Sequence, residues 1–583
     1  MAISREQMLE SIERAKQLVA NAQALKAAKK AAEETERVNR LGITLAGTMQ
    51  PAPIAASISS ITWNEEQRNA IDHAFYGKSF CLIGAAGTGK TTTLKGCLTT
   101  LLESHKLPPL ERGTKHLAGG APGVALISYT RRAVRNIARQ MGDALKAHCI
   151  TFHKLVEYEP EYYSELVDGE EVNKMRFSPS RNRYNPLPRN LKLIIVDESS
   201  MLSIDYFNEL LDALPNPSQV QFIFLGDLNQ LPPVYGQAIL GKMLLELPII
   251  ELTRVYRQAL ESPIISLALA IKDNNFDTFT KECLDGTFTV STQEVVLSPK
   301  VVKTKTIIQR EGRGKVTLHP WKKTLDKDDA LLAMQQQLGL WITDGTYDPD
   351  QDLVLCPWNK SFGTDELNLA IADKIAKLCN KKVWEVIAGF NKFYFAVGDR
   401  MMVDKQECTI LEIKHNPRYM GKLPQPASLT LNRWGNGGGG SNADMFDESI
   451  TNEDIDMLLL HASDVEDRTT EASHVLKVFF HDSEEEVELS KSGILNGASF
   501  GYAMTVHKAQ GSECRRVFFL THDCHAAMCS RELVYTGITR AAEELYIVMP
   551  PAMLGKSAAK PRIKGDTLSA KLEFFASRLE EKE

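Results

Sequence analysis

No two of the ten cysteines stand in a CxxC spacing, and the nearest approach to a ligand cluster is Cys524, His525 and Cys529. Without a second ligand pair at matching spacing this is no structural zinc site. The cysteines read instead as free thiols, which fits a reducing, cytoplasmic compartment. No apolar run is long enough to span a bilayer, so no membrane partner is expected. The first residues mix Glu6, Glu10 and Glu13 with lysine and arginine, which matches neither a secretory signal nor an acid-poor transit peptide. An excess of positive charge is also missing, the formal net charge being −6. A nucleic-acid binder with that balance has to gather its cations locally, in a groove.

What is present is length: 583 residues are too many for one core, and about three to five domains are expected. Residues 4 to about 40 read as one helix, with Ser4 and Gln7 as a capping box and a thin stripe through Met8, Ile12, Ala15, Val19 and Ala22. Pro51 and Pro53 close this region. From about 61 onward, FCLIG, VALIS, LIIVDE and FIFLGD are short continuous apolar runs alternating with helical patterns. Strands covered on both faces look like this, so the pattern predicts a doubly wound parallel sheet. The polar stretch 157–190 interrupts it as a candidate small hairpin.

A second α/β region starts near Leu252 and carries DLVLCP at 352–357 and a basic stretch between Lys300 and Lys327. Trp321 among Lys315, Lys322 and Lys323 suggests an extension of a nucleic-acid track, although a charge run is usually a solvated face. Short β-like runs at 400–403, 409–413 and 475–480 predict a small β barrel. A glycine tract at 435–441 and an acidic stretch at 444–467 read as a surface loop and an insertion. The chain ends on a basic linker and an amphipathic helix bearing Leu568, Leu572, Phe575 and Leu579.

The chemistry starts at GAAGTGKT, Gly84 to Thr91, which follows a strand and precedes a helical segment. That context makes it a phosphate-binding loop. Backbone N–H groups of Gly84, Ala85, Ala86, Gly87, Thr88 and Gly89 turn inward around phosphate oxygens. Lys90 serves the β- and γ-phosphates of ATP, Thr91 offers a hydroxyl to Mg²⁺, and Thr92 follows in the same turn. Asp197-Glu198 ends an apolar strand about a hundred residues later. Asp197 is placed to hold Mg²⁺, and Glu198 to polarise the attacking water. Gln230, in GDLNQLPP, suits sensing of the γ-phosphate or that water.

The order of further motifs resembles superfamily 1 helicases over roughly residues 61 to 550. Gln67 in NEEQRNAI looks like the adenine-reading glutamine. SYTRRAV, with Thr130 and Arg131, and TFHKL, with Thr151, Phe152 and His153, look like the first DNA-contact motifs. LTRVYRQ puts Arg257 against the γ-phosphate, TVHKAQGSE carries Thr505, His507, Lys508, Gly511 and Glu513, and YTGITRA carries Arg540. TVHKAQG with a β insertion before it is similar to the RecD-like branch, and ELVYTGITRAAEELYIV looks closest to the Dda-like helicases of tailed phages.

The resemblance implies two RecA-like motor domains, a hairpin insertion in the first and an SH3-like β barrel in the second. The expected division is 1–60 N-terminal segment, 61–251 first motor domain, 252–399 and 498–550 second motor domain, 400–497 inserted β domain, and 551–583 linker and final helix. It implies ATP and Mg²⁺ as cofactors, with Gly511 and Glu513 beside the nucleotide. Arg257 and Arg540 would reach the γ-phosphate from the second domain. Thr130, Arg131, Thr151, Phe152, His153, Pro232, Asn359, Thr505, His507 and Lys508 would contact single-stranded DNA, with Phe152 stacking on a base. The implied activity is a monomeric, 5′ to 3′ DNA helicase of replication, recombination or repair, working at single/double-strand junctions beside replication or single-strand-binding proteins. Remodelling of protein–DNA complexes without unwinding, and RNA as the strand, remain open at this point.

Overall fold

The computed structural model describes residues 62–419 and 471–580, apart from 168–169, 234–236, 295–303, 321–325, 361, 390, 404–405, 482–484, 490 and 551. The N-terminal helix, Trp321, Lys322, Lys323, the glycine tract and the acidic insertion read from the sequence lie outside the described residues.

Six parallel strands form the first sheet in the order β3-β2-β6-β7-β1-β8. They are β1 (Phe80–Gly84), β2 (Val124–Ser128), β3 (Cys149–Thr151), β6 (Leu193–Val196), β7 (Gln221–Gly226) and β8 (Ile249–Leu252). The continuous apolar runs are explained by the two cores they serve. Cys81 and Ile83 enter one, Phe80 and Leu82 the other, because alternate side chains leave opposite faces of a strand. Helix Arg131–Met141 shows the complementary economy of a surface helix: Ala133, Ile137 and Met141 are buried at a four-residue spacing. Between β3 and β6 the chain runs out into an antiparallel hairpin, β4 (Tyr158–Val167) and β5 (Glu170–Pro179), paired in register from Tyr158↔Pro179 to Val167↔Glu170. Strands of this length reach about 33 Å at about 3.3 Å per residue.

The second sheet has seven strands in the order β20-β12-β21-β22-β11-β10-β9. Its parallel part is β20 (Ala503–Thr505), β12 (Leu353–Cys356), β21 (Cys514–Leu520), β22 (Ala541–Met549) and β11 (Gly314–Pro320). The antiparallel strands β10 (Thr304–Arg310) and β9 (Thr289–Glu294) extend its edge. Again the faces alternate: Val517 and Phe519 pack in one core, Phe518 and Leu520 in the other. Both sheets are therefore RecA-like, doubly wound layers. The basic stretch expected to extend a nucleic-acid track is partly this sheet edge. Lys315, on β11, pairs with Glu544 at 3.0 Å.

The inserted β unit is a five-stranded antiparallel sheet, β18-β17-β16-β15-β19. It comprises β15 (Arg400–Val403), β16 (Gln406–His415), β17 (His474–Phe480), β18 (Glu485–Leu489) and β19 (Ser499–Phe500). A separate hairpin, β13 (Val383–Ala388) and β14 (Asn391–Ala396), shares its core through Val386, Ala388 and Phe395. The unit thus starts near Val383 rather than at 400. Among the described strands the sheet and hairpin are not hydrogen-bonded into one closed barrel. The alternation in 383–396 lies just ahead of the runs chosen from sequence, and shared packing, with hydrogen bonds between Ile387 and Ser473, assigns it to this unit.

Glu407 on β16 ties this unit to the first motor domain. Its carboxylate pairs with Arg400 beside it and, at 2.9 Å, with Arg132 of helix Arg131–Met141. Burial pushes the carboxyl up, but Arg400 and then Arg132 overcome it and bring the pKa down to about 2. A carboxylate depressed in this way stabilises the fold above its unfolded value near 4.5 and loses that contribution as pH falls through about 2. Glu407→Ala leaves buried arginines without their counter-charge. It should lower unfolding stability by about 3 kcal/mol in urea titrations at pH 7, with the deficit shrinking when the titration is repeated between about pH 4 and 2. An unchanged urea midpoint at pH 7 would refute the tie.

Candidate nucleotide site and nucleic-acid track

The phosphate loop leaves β1 at Gly84 and re-enters helix Lys90–Glu103 through Gly89, whose φ of 84° is left-handed. A Cβ at Gly84 would meet the Thr88 hydroxyl at 2.5 Å, and one at Gly87 would meet Ala259 at 2.7 Å. Both glycines are therefore dictated by close approach. Lys90 folds back, its Nζ donating to the carbonyls of Gly84 at 2.7 Å and Ala85 at 3.1 Å. Asp197 and Glu198 follow β6, which β7 separates from β1 in the sheet. Burial, and then the Glu198 charge, push the Asp197 carboxyl up to about 7, against the pull of Lys90. Glu198 itself takes a left-handed backbone, φ 49° and ψ 45°. That conformation is costly for a residue with a Cβ and is common at functional sites.

These groups fit Mg²⁺ carried on nucleotide phosphates. A crowded buried carboxyl beside a second acid gains most from a cation, and the ion needs only one or two protein oxygens in addition to phosphate. Thr91 and Asp197 are the residues present to supply them. Gln230 lies in the loop after β7. It is 6 % exposed, and its side-chain carbonyl has no hydrogen-bond partner. A buried amide left half-satisfied in a protein with many good partners suits a missing ligand.

The second domain completes this site. Tyr535, on helix Arg531–Ile538, is fully buried, and its hydroxyl accepts the Ala86 N–H at 2.9 Å and donates to Asp227 Oδ2 at 2.7 Å. Burial, then the Asp227 carboxylate, hold this phenol well above its ordinary value, so it stays a donor. Thr536 accepts the N–H of Leu231 at 3.0 Å, and Gln510 donates to the Leu231 carbonyl at 2.8 Å. Arg540 is 6 % exposed and donates to the carbonyls of Thr536 and Ser512, each at 3.1 Å, and to the Thr539 hydroxyl at 3.2 Å. Its charge is felt at the Tyr535 hydroxyl. Glu543 and Glu544, the acids next to it in sequence, pair instead with Arg515 and Lys315. Arg257 opens the short helix Arg257–Leu260, and its side chain lies outside the described residues.

Gln67 is buried and works in the capping box of helix Glu65–Phe75 with Asn64. Its carbonyl also accepts the Tyr256 hydroxyl at 2.6 Å, and the Tyr256 ring borders Gly89. Tyr256 was missed from the sequence, although it stands directly before Arg257 in the same motif.

Along the other side, the placements divide. Thr130 and Thr151 cap the helices that follow them, accepting the N–H of Ala133 and Lys154 at 3.2 Å each. Arg131 and Pro232 are partly exposed, Lys508 is exposed, and Thr505 accepts the Lys508 N–H at 3.3 Å. His153 sits in an aromatic nest with Tyr129, Tyr158 and Tyr206. Burial, then Arg562, lower the pKa of His507, so it is neutral at pH 7. Asn359 is exposed and accepts the Thr364 hydroxyl at 3.1 Å. Phe152 is 0 % exposed. It packs in the first core, so it cannot stack on a base, and that expectation is corrected. An exposed aromatic, Trp358, stands directly beside Asn359 just after β12. Gly511 lies at the domain interface: a Cβ there would meet Ala133 at 2.6 Å, and its carbonyl accepts Asn136 at 2.7 Å. Glu513 is exposed.

Residues 67–236 match a family described as an AAA domain, and residues 500–548 match the UvrD-like helicase C-terminal domain. The chain is 25% identical over 500 residues to the ATP-dependent RecD2 DNA helicase of Deinococcus radiodurans, covering 86% of this chain and 51% of that protein. It is 23% identical over 522 residues to the RecBCD enzyme subunit RecD of Mycobacterium tuberculosis, covering 87% and 73%. The chain thus spans about half the length of the first of these relatives. The Pif1 helicase structure from Candida albicans overlaps 90% of this chain and 100% of its own at 14% identity, but with a TM-score of 0.37 it carries no argument. With the motifs in order across two parallel α/β sheets and a family match on each, the chain is similar to the RecD-like superfamily 1 helicases.

Proposed function

We propose that this chain is an ATP-driven DNA helicase that moves 5′ to 3′ along single-stranded DNA and opens single/double-strand junctions. The observation that carries the reading is Arg540, a buried arginine with no carboxylate among its hydrogen-bond partners, beside the tyrosine that sits on the phosphate loop. An uncompensated buried cation is unfavourable until an anion arrives. The γ-phosphate of ATP is such an anion, and Arg540 belongs to the sheet opposite the loop.

In this reading Lys90 leaves the loop carbonyls for the β- and γ-phosphates. Thr91 and Asp197 would hold Mg²⁺, which would supply positive charge to the phosphates. Glu198 takes the proton of the attacking water, and Gln230 orients that water. Arg540, with Arg257, stabilises the charge that builds on the γ-phosphate. Gln67 reads the adenine edge, with Tyr256 against it. Hydrolysis then requires both sheets to be closed, and product release lets them part, which turns chemistry into a step. Thr151, Thr505, His507 and Asn359 serve the strand as neutral phosphate contacts, and Lys508 and Arg131 as cations. Trp358 offers the stacking surface in place of Phe152. The β4–β5 hairpin is the candidate pin that meets the duplex. A monomer suffices for all of this. Placement beside the Dda-like phage helicases, and a role in replication, recombination or repair in a cytoplasm, rest on the motif wording and the relatives.

Matched duplexes with a 5′ or a 3′ single-stranded tail test unwinding and direction together. With ATP and Mg²⁺ the 5′-tailed duplex should be displaced and the 3′-tailed one left intact. Displacement of only the 3′-tailed duplex would overturn the direction, and displacement of neither the unwinding.

Arg540→Ala should leave the Kd for ATP within about threefold and reduce DNA-stimulated turnover by about two orders of magnitude or more, because the charge acts on the transition state. Arg540→Lys should rescue poorly, since an ammonium lacks the planar fork. Melting temperature and turnover measured on one preparation decide the matter. A destabilised but fully active Arg540→Ala protein would remove Arg540 from the chemistry.

A further inference from the structure

The C-terminal helix belongs to the second domain by sequence and to the first by packing. After β22 the chain stays on the second domain: Met553, Ala558 and Ile563 are buried, the first two in its core. Arg531 binds the Ala558 carbonyl and the Asp566 carboxylate, the latter at 2.8 Å, and Glu532 accepts the N–H groups of Arg562 and Ile563. Helix Leu568–Glu580 then crosses over. Leu568, Leu572 and Phe575 pack against the first-domain core, and Phe575 covers Gly241 so closely that a Cβ there would lie 2.8 Å from its ring. Gln237 donates to the Arg578 carbonyl at 2.7 Å.

Lys571 lies on the same face as these apolar residues, three and four positions from Leu568 and Phe575. A lysine turned inward needs a partner. Its Nζ donates to Asn229 Oδ1 at 2.8 Å. Asn229 in turn gives both its backbone and side-chain N–H to Asp227 Oδ1, each at 2.9 Å. The other Asp227 oxygen accepts the Tyr535 hydroxyl, and that hydroxyl accepts the Ala86 N–H of the phosphate loop. One unbroken line of hydrogen bonds therefore joins the final helix, the loop bearing Gln230, the second domain and the phosphate loop.

We propose that Lys571 is a positioning residue for ATP turnover: through Asn229 it fixes Asp227, and so holds the Gln230 loop in register with Tyr535 and the phosphate loop. This rests on the ATPase reading above. The helix is rooted on one domain and docked on the other, so its ammonium reports their approach to the loop that both domains share.

The test uses the full chain and two variants. Lys571→Met keeps the unbranched stem and the apolar packing while removing the donor, and Asn229→Ala removes the acceptor. Backbone amide exchange of residues 227–231 should be faster in Lys571→Met, with the melting temperature nearly unmoved. Turnover of ATP with saturating single-stranded DNA should show kcat lowered about tenfold and KM for ATP unchanged within about twofold. The double variant should be no worse than the worse single one, because both act through one contact. Lys571→Arg, which keeps a donor and the charge, should recover part of kcat. Unchanged exchange, an unchanged kcat, or additive losses in the double variant each overturn the proposal. Wild-type protein that fails to hydrolyse ATP overturns the ATPase reading instead, and the exchange measurement, which needs no turnover, still shows whether Lys571 orders the loop.

Discussion

The hydroxyl of Tyr535 is a buried point at which the two parallel-sheet domains meet. It is fully buried, it satisfies a backbone N–H of the phosphate loop, and it gives its proton to Asp227. Separating the sheets in a dry interface would strand three polar groups, each worth about 1–3 kcal/mol if left unpaired. Water can replace them only if the cleft opens enough to admit it. The contact therefore favours two arrangements, shut or wetted, over a continuum between them. A motor that couples chemistry to a step needs that kind of bistability.

Charge is arranged around the same point. The chain is acidic overall, and its interior arginines are nearly all answered by acids: Arg132 and Arg400 by Glu407, Arg516 by Asp352, Arg531 by Asp566. These pairs hold the architecture together. The β unit is fastened to the first domain by one of them, and the C-terminal linker to the second by another. Arg540 alone among these five is held by carbonyls and a hydroxyl. Asp197 is its counterpart of opposite sign, an acid whose protonation is favoured by burial and by Glu198. On the proposed reading, a nucleotide carrying its metal would bring an anion to the first and a cation to the second.

Much of the plan was legible before any coordinates. Strands buried on both faces announce themselves as unbroken apolar runs, and a phosphate loop announces itself through glycines that close approach demands, as Gly84 and Gly87 do. What was not legible has physical causes. Phe152 reads as a free aromatic because a four-residue helix is too short to display a face. Its burial follows from the neighbouring strands. Gly511 has the positive φ of a loop glycine, but the atom that forbids a side chain there belongs to Ala133, far away in sequence. The hairpin 383–396 alternates like any exposed strand pair, and only the partners it covers reveal its domain.

Sequence by itself determined the chemistry available: which loop can cradle phosphate, which carboxylates stand together, and in what order the motifs fall. Those are local properties, set by backbone freedom and by residues adjacent in the chain. Tertiary structure alone decided which groups share a contact. Tyr535 lies 449 positions from Ala86, and Lys571 342 from Asn229. No periodicity encodes such pairings. They exist because packing two cores and one crossing helix brings a phenol to Asp227 and an ammonium to Asn229, where unpaired they would be costly to keep.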